Sequence, residues 1–544
     1  MKLLRPLPRS VTRPISFFVL VAWIACMAIL VHRAYLQASP INLATDLARY
    51  GPTAVWRGVY YRGEKIGFTV SQMVRTGEGF ELQENGRLQM LLLGQDSIAT
   101  LRTTARVDAS FALQSFEFSL DPGTGAVEVR GDLQGPAADG RFTLNVAIGS
   151  SGGTRTDTRE LAERPVLSLN LARVLAGGRL VPGERSRWMV LDPATLRHAP
   201  MDVQVGRREV VRTVDGVMPA FRVDMALEGL EMTSWITDTG DVIREESPLG
   251  LMTIRESAAQ AQALGVPGRV QADLLQASAV VPVMRQRLDE PREVRFLRLR
   301  LGGVDLSTFD MEGVGQTFDG DVLEIRDPQT LEAGPADPGA SAYLSPEPLI
   351  ESDDPEIVAE AERAVEGAVG DRARAERLTR YVNALLDKKP TMSLPSAREV
   401  LRTKVGDCNE HTVLYVAMAR AAGIPARIAV GLVYVRGVQG AFYYHAWPEV
   451  YLDEGNGRGY WLPVDPTLNE FPANTTHVRL MRGGLDRQAA ILPLIGRLSM
   501  EVLDMELSAT ATSVAEAQQR TALPPLPIDL PERQAGGCRC DEDR

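Results

Sequence analysis

The chain has 544 residues, 44% of them hydrophobic, which is enough for two to four domains with cores of their own. Its 59 basic and 70 acidic residues give a formal net charge of −11, which argues against nucleic-acid binding. The four cysteines (Cys26, Cys408, Cys538 and Cys540) are placed so that no disulfide framework can span the folded part.

Lys2, Arg5, Arg9 and Arg13 precede an apolar run from Ile15 to Val31 in which only Ser16 is polar. At about 17 residues this is the short end of a membrane span. The positive charge before it predicts a cytoplasmic N-terminus with the bulk of the chain periplasmic or otherwise extracytoplasmic. No small-residue cleavage site follows promptly, so residues 1–38 read as an uncleaved, single-pass anchor in the inner (cytoplasmic) membrane. Residues 39–52 read as a linker.

Residues 53–333 are expected to be β-rich and mostly antiparallel, with a division into two subdomains near 256–292. Period-two stretches such as Arg141–Val146 and Phe221–Met225 alternate with turn signals such as Asp121-Pro122-Gly123 and Asp139-Gly140. Short helices are expected at Pro165–Leu175 and Ser257–Leu264. A large curved sheet of this kind serves either as a packing platform or as a cradle for a hydrophobic ligand or a partner. Gly334 to Gly339, with Pro335 and Pro338 inside it, reads as a linker to the next domain.

Residues 340–510 carry the chemistry. Asp354-Pro355 is a helix start, and Leu378, Tyr381, Val382, Leu385 and Leu386 form one apolar stripe on a following helix. Ser396 and Glu399 have capping-box spacing. Gly406-Asp407-Cys408 then opens a helix that is apolar nearly all round to Ala422, hence buried, and stops at Gly423. A cysteine in the first turn of such a helix is favoured as a thiolate by the macrodipole and the free N–H groups. Ala441–Tyr451 and Tyr460–Thr467 read as two strands of a hairpin. A hairpin centred at 455 puts Asp465 opposite His445; one centred at 456 puts it opposite Trp447 and diagonal to His445. Both registers bring a carboxylate to the imidazole, and Cys408, His445 and Asp465 thus have the logic of nucleophile, base and orienting group. Leu498–Leu507 reads as a further strand, and 515–544 as a polar, Pro-rich, disordered tail.

The segments Gly406–Gly431, Tyr443–Leu452 and Tyr460–Thr467 resemble, in family order, the core of the transglutaminase-like superfamily of papain-type Cys-His-Asp proteins. The resemblance spans roughly 350 to 480. It implies an α+β fold in which the helix bearing the cysteine packs on an antiparallel sheet. It also implies Cys408 as nucleophile, His445 as general base and acid, and Asp465 as the residue that orients His445. The eukaryotic cross-linking enzymes of that superfamily carry a tryptophan shortly before the nucleophile. Here the nearest upstream is Trp235, which points away from dedicated cross-linking.

The expected function is an anchored cysteine hydrolase acting on amide bonds of a protein, a peptide or a peptidoglycan stem. Acyl transfer to an amine, or a non-catalytic envelope protein with a vestigial triad, are the alternatives. No cofactor or metal is expected, and the oligomeric state stays open. His411, three residues after Cys408, is expected to hydrogen-bond beside the site; Glu410 and Glu449 are expected to be solvated or structural. Trp447 is expected to shield His445 or to fill the core.

Overall fold

The computed structural model describes residues 50–508, apart from 265–272 and positions 52, 124, 151–152, 215, 248, 314 and 438–439. The apolar run Ile15–Val31, the linker up to residue 49 and the tail from 515 lie outside the described residues. Among those described, no helix is long and apolar enough to cross a membrane.

Fourteen antiparallel strands between Val55 and Glu256 form one sheet. Its spatial order runs from Gly153–Leu161 back along the chain to Val55–Tyr61, which pairs with Leu251–Glu256, and from there back to Arg185–Leu191. The two edge strands are consecutive in sequence, joined through the helix Ser168–Gly177. Arg159 on one edge donates to the Leu196 carbonyl just past the other (2.9 Å), and Leu161, Leu191 and Leu196 share a core. The sheet therefore curls until its edges approach each other. A cavity of about 470 Å³ opens against this sheet. Its lining is mixed, with Arg57, Glu84, Arg173 and Asp241 beside Val55, Leu82, Leu169 and Val242.

The second half is built around four helices and two sheets. The helices are α1 (Pro355–Val365), α2 (Asp371–Leu385), α3 (Ala397–Thr403) and α4 (Cys408–Ala421). The strands are β1 (Val294–Gly302), β2 (Gln316–Asp319), β3 (Val322–Arg326), β4 (Gly334–Pro335), β5 (Ala426–Val435), β6 (Ala441–Gly455), β7 (Arg458–Pro463), β8 (His477–Arg482) and β9 (Ser499–Leu507). One sheet has the order β2-β3-β1-β9, the other β4-β7-β6-β5-β8. The helix α4 packs against α1, α2 and α3 and against β5 and β6. Leu414 to Ala419 are all fully buried, as an all-round apolar helix requires. Each large side chain so buried contributes roughly 1.5–3 kcal/mol relative to exposure.

Two expected boundaries need correction. Residues 334–339 are not a linker: β4 pairs with β7, and the Trp461 indole N–H donates to Asp337 (2.9 Å). The strands at 294–326 are separate from the large sheet, in keeping with the division expected near 256–292, but they belong with the domain that follows, because β1 pairs with β9 on one side and β3 on the other. Leu297, Leu299, Leu301 and Leu323 lie in the same core as α4. The change of architecture therefore falls between Glu256 and Val280, not at 334. Proline and glycine density marked a turn there, but β4 needs only two residues of ladder.

The halves are closely joined. Met392 packs with Val59, Ile66 and Met90 of the large sheet, Leu349 and Leu394 pack into its other core, and Arg155 pairs with Asp353.

Candidate active site

Cys408 opens α4. Asp407 is the N-cap: its carboxylate accepts from the Asn409 N–H (3.0 Å), and Glu410 reciprocates by accepting from the Asp407 N–H (2.8 Å). Gly406 is required by that closure, since a Cβ there would sit 2.2 Å from the Glu410 Cβ. Glu410 also accepts from Thr391 (3.0 Å) and Ser393, which flank the Met392 that reaches the large sheet. Glu410 is thus structural, as expected, and ties the nucleophile's turn to the other half of the protein. Among the described residues, the Cys408 N–H is the amide of this turn that no protein acceptor takes.

The strand β6 brings the base. The Thr412 hydroxyl, one turn along α4 from Cys408, donates to the Ala446 carbonyl (3.0 Å), and the Ala446 backbone amide favours the charged form of the Cys408 sulfur. His445 is the residue before. On its other side His445 pairs with Gly431 of β5. A Cβ on Gly431 would lie 1.9 Å from the Val478 carbonyl, so the close approach of β8 needs glycine here.

The β6–β7 pairs Glu449↔Pro463 and Tyr451↔Trp461 fix the hairpin centre at 456, the second of the two expected registers. The ladder stops at Pro463, and Asp465 follows in a turn, bridged to Glu470. From there its Oδ2 accepts from His445 Nε2 (2.8 Å), while its Oδ1 accepts from the backbone N–H groups of Thr467 (2.7 Å) and Leu468 (2.9 Å). Burial opposes ionisation of Asp465, but the two imidazoles beside it hold its carboxyl well below the usual range. With Nε2 so occupied, His445 has Nδ1 left, and no described residue hydrogen-bonds to it.

His477 is the member that sequence reasoning missed. It opens β8, and its Nε2 reaches the same Asp465 oxygen (3.1 Å) while its Nδ1 lies 3.0 Å from the Asn474 carbonyl. The one available signal was scarcity: of five histidines in the chain, three surround this site. Trp447 fills the space between, stacked with His445 (centroids 6.0 Å) and edge-on to His477 (5.1 Å), and is 1% exposed. It is both shield and core. His411 places Nδ1 2.7 Å from the Asp407 carbonyl, as expected of a residue beside the site; burial pushes its pKa down.

The surroundings of the thiol oppose its ionisation. Burial, together with the nearby Asp407 and Glu410 carboxylates, pushes Cys408 well above the ordinary thiol value, outweighing the Ala446 N–H. Burial and Glu410 push Asp407 up as well. The helix N-terminus does favour a thiolate, but its positive end is already occupied by the acidic capping box.

His445, Asp465 and His477 offer three ligand atoms within 4.8 Å of one another. Both nitrogens face one carboxylate oxygen, at 2.8 and 3.1 Å, in the arrangement that the triad reading uses.

Residues 359–466 match the family model described as the transglutaminase-like superfamily. No curated protein matches the chain. Three solved structures show similarity. A candidate cysteine protease from Cytophaga hutchinsonii has 16% identity, covering 40% of this chain and 89% of its own, with a TM-score of 0.26. A β-barrel-like protein of unknown function from Brucella abortus has 14% identity over 38% of this chain and 96% of its own (TM-score 0.29). A candidate protease from Parabacteroides distasonis has 13% identity over 60% and 65% (TM-score 0.19). These scores are too low to imply a shared whole-chain fold.

Proposed function

We propose that this transglutaminase-like core is a cysteine hydrolase of amide bonds, with Cys408 as nucleophile, His445 as base and acid, and Asp465 as the group that orients His445. The observation that carries the reading is the 2.8 Å bond from His445 Nε2 to Asp465, which leaves Nδ1 free on the residue next to Ala446, whose carbonyl is bound by Thr412 one turn from Cys408. Sulfur attacks the amide carbonyl as Nδ1 takes the thiol proton, and the free Cys408 N–H faces the developing oxyanion. His445 then protonates the departing amine, and water, activated by the same nitrogen, releases the acid.

The substrate is an amide of a protein, peptide or peptidoglycan stem outside the inner membrane, to which the Ile15–Val31 run anchors the chain. The test is intact mass spectrometry of the full chain with stem-type peptides. An acyl adduct on Cys408 that is absent in Cys408→Ala supports the reading, and loss of the adduct to water rather than to an added primary amine separates hydrolysis from transfer. Absence of any adduct with a folded protein refutes it. For topology, a reporter fused after Gly537 should be active only outside the cytoplasm; a cytoplasmic signal overturns the placement.

A further inference from the structure

His477 is buried (5% exposed), and both of its ring nitrogens face groups that only accept. The Asn474 carbonyl has no proton to give, so Nδ1 must carry one. Asp465 is saturated by two backbone N–H groups on Oδ1 and is an ionised acceptor at Oδ2, so Nε2 must carry one too. A ring protonated at both nitrogens is an imidazolium. We propose that His477 is a permanently charged positioning residue. By sharing the Asp465 oxygen with His445, it holds a fixed positive charge 5.9 Å from the His445 ring, where it opposes a second positive charge. The proposal rests on the triad reading above and adds the regulator of its proton balance.

The remaining charges around His477 leave this assignment in place. His445 on β6 lies with its ring 5.9 Å away, and Asp465 and Glu470 face it from the turn after β7. Glu470 is already bound to Arg292 (2.8 Å) and Asn474. Arg479, two residues along the same strand, is bound to Glu449 (3.0 Å). The Asp465 carboxylate is therefore the one anion that His477 and His445 share, and it raises the affinity of His477 for its proton against the cost of burial. A neutral His477 would turn a lone pair either toward that carboxylate at 3.1 Å or toward the Asn474 carbonyl at 3.0 Å, and each of these contacts is repulsive. With the imidazolium in place, a second proton on His445 would put two cations on one carboxylate.

The direct test is nuclear magnetic resonance of the full chain with histidine ring nitrogens labelled; five histidines are few enough to assign by single His→Gln variants. At about pH 8, above the ordinary histidine value of about 6.5, both nitrogens of His477 should still appear protonated. A spectrum of neutral His477, with one bare nitrogen, overturns the proposal. The second test compares Cys408→Ala with Cys408→Ala/His477→Gln, where glutamine keeps a donor for Asp465 without the charge. At 5.9 Å and an effective dielectric of about 20, losing the cation should raise the His445 titration midpoint by up to about 2 pH units. A purely structural role for His477 would leave that midpoint in place, and an unmoved midpoint in a folded variant overturns the proposal. Neither readout uses turnover, so its failure is separable from failure of Cys408 to form an acyl adduct.

Discussion

Replacing Glu449 by Gln should unlock the sheet that carries His445. Glu449 lies four residues along β6, on the same face, and is 3% exposed. Its Oε1 accepts from Arg479 (3.0 Å), and its Oε2 from Arg427 (2.8 Å) and Arg482 (3.1 Å), so one carboxylate cross-links β5, β6 and β8. Burial opposes the charge, but the three guanidiniums bring the carboxyl from 4.5 down to about 2. A group whose folded value is lowered stabilises the fold above its unfolded value and loses that contribution as pH falls through the folded one. The shift of about 2.5 units corresponds to about 3 kcal/mol, present at neutral pH and lost between about pH 4.5 and 2. Glu449→Gln leaves three buried guanidiniums with too few acceptors, and breaking a buried pair this way costs roughly 3–5 kcal/mol. Hydrogen exchange read by mass spectrometry over Arg427–Leu452 measures the local opening free energy without assuming that the whole chain unfolds at once. The gap between wild type and variant should be several kcal/mol at about pH 7 and narrow steadily below pH 4.5. An equal gap at about pH 7 and pH 3 would mean that packing, not charge, joins these strands, and would refute the reasoning.

Other outcomes follow from the same geometry. Cys408, with its thiol pushed up by burial and two carboxylates, should alkylate slowly at about pH 6 and accelerate only above the ordinary thiol value of about 8.5; fast labelling at acidic pH would show a resting ion pair. Asp465→Asn must turn an amide NH₂ toward one of two pairs of donors. Acylation of Cys408 should then fall by orders of magnitude, up to the ~10⁴-fold of serine triads, with a loss of stability measurable by thermal unfolding. A fragment of residues 340–510 lacks β1, β3 and β4, which exposes core facing Leu297, Leu299 and Leu323. It should be insoluble or rapidly proteolysed, whereas one starting at about 279 should show the more protected core; equal protease resistance of the two would undo the boundary drawn here.

The residues around Cys408 were legible in the sequence because their signals are local. An N-cap, an all-round apolar helix, a glycine stop and a hairpin register are set by neighbours within a few residues, and the arithmetic of the hairpin already put Asp465 within reach of His445. The helix starts at Asp354 and Ser257 were legible for the same reason, their side chains capping amides two or three residues on. Distant partners decided the rest. His477 lies 32 positions beyond His445 and joins the site only because β8 pairs with β5 rather than with β7. The membership of β1 and β9 in the α4 core depends on a pairing across some 200 residues that no local pattern encodes. What opposes ionisation of the thiol was not legible in the sequence for a related reason. A helix dipole can be inferred from a run of residues, whereas the burial of Cys408 and the folding of Glu410 back over its own turn are properties of the packed structure. The sequence by itself determined which groups could do the chemistry. Only the tertiary structure decided which of them carry charge, because desolvation and shared hydrogen bonds arise when distant strands close around one carboxylate.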